Sequence, residues 1–304
     1  MAAAPRPNAH RLFLNNVAEN LKKHLSKLSK RGPHRVLVGD LSYAGIPGKV
    51  YTPAEGKGLP AVAFGHDWRQ GIKRYHATLR HLASWGIVVV APDTETGFAP
   101  DHRGFAADLE TCMQIAAGVK LGQGNITVAP GKIGVVGHGM GAGAAILAAV
   151  DRELVKAVAA IYPSVTAPSC EEAARHVTAP GLVLSPGRGE FLDMGNPPKV
   201  AFNWGGDVAF RVVDKASQAG FHEAAARKLL TGIGGLEFGA QEAARGLVTG
   251  FLLHQLAGEN KYSAFSAFAA EGKGVSAWTR QELREEVARH DPYVDSSPAD
   301  SEQE

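Results

Sequence analysis

The stretch Gly131–Ala149, GKIGVVGHGMGAGAAILAA, reads as an apolar strand, a tight glycine turn and a helix of small residues. In the pattern G-x-S-x-G, a serine at the apex of such a turn is an exposed nucleophile held by a strained backbone. Here the five residues are Gly137, His138, Gly139, Met140 and Gly141, so the apex is glycine. No Ser, Thr or Cys lies within ten residues of it on either side, and Thr127 is the nearest. Glycine adopts the strained conformation without a Cβ penalty. The segment therefore has the shape of an acyl-transfer site without the attacking atom.

Other chemistries fit the residues less well. The run GHGMGAGAA matches G-x-G-x-x-A through Gly137, Gly139 and Ala142. A dinucleotide fingerprint opens the first strand–helix–strand unit of its fold, with an acid about 20 residues on. This run sits in mid-chain, although Asp151 and Glu153 follow it. The twelve histidines are scattered, with no H-x-x-x-H pair, so no metal and no cofactor are expected. Cys112 and Cys170 lack C-x-x-C spacing and read as two buried thiols of a reducing compartment, with one disulfide as the alternative.

The elements that would position a site follow from periodicity. From about Arg11 to Arg31, Leu14, Val17, Leu21, Leu25 and Leu28 recur at helical spacing among Lys22, Lys23, Lys27 and Lys30. This basic helix is expected to pack on its own domain, with a partner, a second copy or a membrane surface as the alternatives. RVLVGDLSY and GKVYTP read as paired strands. PAVAFGH, GIVVVAPD, KIGVVGH, VKAVAAIYP, PGLVLSP and VAFRVVD read as short buried strands, with helical stretches interspersed among them. The fold class is thus α/β: a doubly wound, mostly parallel central sheet with helices on both faces. The domain boundaries expected are 1–34 for the basic helix, 35–270 for the α/β domain, and 271–304 for a C-terminal helix and an acidic, disordered tail. Residues 1–35 carry eight Lys/Arg against one acid, while 291–304 carry five acids and no Lys/Arg. The formal net charge of +2 gives no sign of nucleic acid binding. No apolar run reaches a membrane span, and the N-terminus lacks the pattern of a signal peptide, so a cytoplasmic location is expected.

Taken in order, GKVYTP, GHDWRQGIKRYHATLRHLASWGIVVVAPDTET, PDHRGFAADLETCMQ, GKIGVVGHGMGAGAAILAA and FLLHQLAGENKYSAF resemble the α/β-hydrolase fold. Within it they resemble the cutinase-like and dienelactone-hydrolase-like esterases of bacteria. The resemblance implies a serine, a histidine, an acid and two backbone donors for an oxyanion. It places the serine at Gly139, the acid at Gly189 and the histidine at Gln218, so all three positions are altered. Glu190, one residue on, and His222, four residues on, are the fallback acid and base. Their plainer readings are a surface carboxylate near Arg188 and a helix-start histidine. The implied oxyanion donors are the N–H groups of Met140 and of Trp68 or Asp67. His66, Asp67, Trp68, Tyr75, Phe98, His138 and Trp204 are candidate walls of a pocket for a small hydrophobic or ester-like ligand; ordinary core packing is the alternative for the aromatic ones. The expected function is a degenerate hydrolase acting in ligand binding, scaffolding or regulation. The alternative is a diverged ester hydrolase using Glu190 and His222.

Overall fold

The computed structural model of the protein describes residues 21–188, 195–223, 237–268 and 270–290. Among these residues nine strands make one sheet: β1 (Val36–Asp40), β2 (Gly48–Pro53), β3 (Gly56–Gly65), β4 (Val88–Pro92), β5 (Ile126–His138), β6 (Val158–Ile161), β7 (Gly181–Pro186), β8 (Val208–Val213) and β9 (Val275–Ala277). Their spatial order is β1-β2-β4-β3-β5-β6-β7-β8-β9. The pairs β1–β2, β2–β4 and β8–β9 are antiparallel. All pairs from β4 to β8 are parallel.

Parallel strands need cover on both faces, because their crossover helices lie there. Accordingly Val88, Val89, Val90 and Ala91 are all fully buried. Alternate residues serve the two sides. Val62, Phe64 and Val89 join one core with helix α1 (21–28), helix α2 (His76–Ser84) and the closing helix Phe238–Gln255. Ala61, Ala63, Val88 and Val90 join the other with α3 (His102–Gly118) and α4 (Met140–Ala149). The period of two in the strands thus builds two core layers.

Sequence patterning does not foresee β9 or the helix Pro197–Phe202, both short. The expected C-terminal helix runs from Arg280 to His290. The expected disordered tail, the first part of the basic helix, and Gly189 and Glu190 lie outside the described residues.

Helix α4 lies hard against the sheet. A Cβ on Gly141 would come 2.3 Å from the carbonyl carbon of Gly65, at the end of β3. Only glycine permits that approach, and it brings the N-terminus of α4 beside the loop that follows β3.

Candidate functional site

The carboxyl ends of β3, β5, β6 and β8 open on one side of the sheet. The strand ends and the segments leaving them carry Asp67 and Trp68, His138 and Met140, Ser164, and Gln218 and His222. Between them lies a cavity of about 460 Å³ lined by Asp67, Trp68, His102, Met140, Gln218 and His222, among others. That volume is within the range of small-molecule pockets.

The elbow keeps its strain. Gly139 has φ 56° and ψ −120°, a conformation that disfavours side chains, and it leads directly into α4. The space a side chain would fill there is taken. A Cβ on Gly139 would stand 2.0 Å from Oδ1 of Asp67. The same oxygen accepts hydrogen bonds from the backbone N–H groups of Met140 at 2.9 Å and Trp68 at 2.8 Å. These are the two groups expected to face an oxyanion. A carboxylate belonging to the chain itself holds them, at the N-terminus of a ten-residue helix whose dipole favours negative charge.

Asp67 is 7% exposed, so its charge needs compensation. His222 supplies part of it: its Nε2 lies 3.2 Å from Asp67 Oδ2. That is ion-pair distance, although the ring is not aligned for a regular hydrogen bond. Burial pushes the Asp67 carboxyl up. The approach of His222, the charge that His138 and His222 carry when protonated, and the Met140 N–H outweigh burial and bring it down to about 2. Behind the carboxylate stands Tyr75, fully buried, whose hydroxyl accepts the N–H of Asp67 at 3.0 Å and bonds His138 Nδ1 at 2.9 Å. Burial first, then the charge of Asp67, pushes the Tyr75 phenol well above its usual range.

His222 arrives through a short 3-10 turn, Ala219–Phe221, after β8. Flanking carboxylates pin this segment. Glu237 accepts from the N–H and hydroxyl of Ser217, and Glu223 accepts from the N–H groups of Ala77 and Thr78 at the start of α2. Gln218, at the position the resemblance gives to histidine, also lines the cavity and donates to Ser164 Oγ at 2.6 Å.

The other expected wall residues separate. His138 is fully buried behind Asp67, and His66 is buried with its ring nitrogens on the carbonyls of Asp67 and Thr94. Phe98 is 75% exposed and packs, tilted, against Trp68 without lining the cavity itself. Trp204 does not reach the site. Its indole donates to Ala179 O and covers Gly181, at the opposite end of β7. His102, Ser164 and Val165 line the cavity without having been singled out in the sequence. Loops join them only in three dimensions.

Asp67, His138 and His222 each bring one ligand-type atom to within 4.8 Å of the others, and all three are buried. They come from the ends of three different strands, which is why histidine spacing gives no hint of them.

The strand order, the strained turn between β5 and α4 and the cavity over the strand ends define an α/β-hydrolase fold. Within that class, the chain belongs to the PET hydrolase-like family, whose sequence model matches residues 25–191, more than half of the chain. No individual curated protein matches it. Among the described residues, no helix is long and apolar enough to cross a membrane.

Proposed function

We propose that this protein has left serine-ester chemistry and uses the inherited cavity to bind a small, largely apolar molecule. One observation carries the reading: Asp67 occupies the space at Gly139 and holds both backbone donors. A serine hydrolase needs that space for its nucleophile and those donors for the oxyanion. With neither available, an ester carbonyl has no place to react. The cavity remains, walled by Trp68, Pro100, Val165 and Ala219 around the polar group of Asp67, Gln218 and His222.

A second reading is favoured by the 3.2 Å contact between His222 and Asp67. An imidazole beside a carboxylate can act as a base toward a bound water, which would make the protein a diverged ester hydrolase. The test is a panel of short-chain nitrophenyl esters and a fluorophosphonate probe, both run in the presence of a chelator. The first reading expects no covalent labelling and no turnover above buffer. Turnover that persists with chelator and disappears in His222→Gln would establish the second reading instead.

A further inference from the structure

We propose that Asp67, His138 and His222 form a binding site for one divalent transition-metal ion of the zinc or cobalt type. The ion would sit under the floor of the cavity. Metal binding is read directly here, so the inference stands or falls separately from the absence of serine-ester chemistry.

The donor set comes first. One carboxylate and two imidazoles suit borderline first-row ions, whereas calcium and magnesium call for oxygen ligands. All three side chains are at least nine-tenths buried, and their ligand atoms lie within 4.8 Å of one another. Ligands about 2.1 Å from a tetrahedral centre are spaced about 3.4 Å apart. The Asp67–His222 pair already stands at 3.2 Å, so modest rotation of the rings closes the set.

The arrangement around the three also suits a metal. Oδ1 of Asp67 is fixed by two backbone N–H groups, which turns Oδ2 toward the imidazoles. His138 is oriented through Nδ1 by the Tyr75 hydroxyl, the kind of outer contact that metal-bound histidines commonly make. Nε2 of His222 is buried and makes no regular hydrogen bond. A buried imidazole nitrogen without such a bond is costly, and a metal satisfies it. Asp67 and His222 line the cavity, so a coordination position can face its interior. The lost serine and the filled donor pair then have a common rationale: the carboxylate at Gly139 is held in place as a ligand.

The test uses the full chain, stripped with a chelator and dialysed into metal-free buffer. Zn(II) is titrated calorimetrically, and Co(II) is followed by its visible absorption bands. The expected result is one equivalent bound, with Co(II) bands of the intensity given by four- or five-coordinate sites. Asp67→Asn and His222→Gln should each weaken binding by at least about a hundredfold, and Tyr75→Phe by about tenfold. His176→Gln, an exposed histidine elsewhere, should bind like the parent. Should Asp67→Asn fail to fold, the Co(II) spectrum of the parent and the His222→Gln titration still decide the matter. The proposal is overturned if the parent takes up no stoichiometric metal. It is equally overturned if binding survives in His222→Gln, because the ion then sits elsewhere.

Discussion

At Gly139 two demands fall on one backbone position. Its φ of 56° disfavours any side chain, and a Cβ would stand 2.0 Å from the Asp67 carboxylate. Holding a non-glycine residue in such a region costs about 1–3 kcal/mol, and expelling a buried, hydrogen-bonded carboxylate costs about as much again. Gly139→Ala should therefore lower stability by about 3 kcal/mol or more in the parent, but by only the strain cost in an Asp67→Ala background. Denaturant melts of the two single variants and the double variant measure the coupling, which should exceed about 1 kcal/mol. Strictly additive losses would mean that Asp67 swings aside without cost. By the same geometry, Gly139→Ser alone should give no esterase, since its hydroxyl would compete with Asp67 for the same donors. The glycine at the apex was legible in the sequence, because a missing side chain in a known pattern is a local fact. The part played by Asp67 was not. Asp67 stood out in GHDWRQ only as a candidate pocket wall and backbone donor; the place of its carboxylate under Gly139 comes from the packing of α4 against the end of β3.

Among the elements, α2 shows how burial and charge set a pH dependence outside the site. Its N-terminus is capped by Glu223, which also pairs with Arg245 of the closing helix at 3.0 Å. Further along, His81 is 7% exposed and its Nε2 has no hydrogen-bond partner among the described residues. Burial, and then the charge of Arg245, lower its pKa from 6.5 to about 4, against a smaller opposing effect of the Leu28 carbonyl. The folded state thus resists a proton that the unfolded chain accepts. Stability from this group is fully present above pH 6.5 and is lost as the pH falls toward 4. The full loss is of the order of 3 kcal/mol. His81→Gln should flatten the acid limb of a melting-temperature profile across that window, and an unchanged limb would show that the ring opens to solvent before it titrates. The amphipathic helices were readable from their period, and the parallel strands from short continuous apolar runs, since both faces of those strands are buried. The three-residue β9 and the 3-10 turn that carries His222 to Asp67 were not, since so few residues show no period. That turn absorbs the four-residue offset between Gln218 and His222, so the resemblance pointed to the first while the structure brings the second to the carboxylate.

For the molecule as a whole, α1 shows what the described part of the basic helix does with its leucines. Leu21 and Leu28 are fully buried and Leu25 is 6% exposed, all within the core that contains Phe251 and Val275. The closing helix accepts α1 closely: a Cβ on Gly246 would come 2.9 Å from a methyl carbon of Leu25. Beyond the helix, Lys30 O accepts from the Trp85 indole at 2.9 Å, and the N–H of Gly32 donates to Ser84 Oγ at 2.8 Å. Lys22, Lys23 and Lys27 stay exposed on the other side. The leucines of the described helix are therefore buried inside the molecule, and its exposed side is the basic one. Removing a fully buried leucine side chain costs about 2–5 kcal/mol, depending on how far the site collapses. Leu28→Ala should lose that much stability, and trypsin should leave Lys23 and Lys27 intact in the native parent while cutting the variant faster. A variant that melts like the parent, together with rapid native cleavage at Lys23 or Lys27, would show α1 detaching in solution. Its leucines would then be free for a second copy, a partner or a lipid surface.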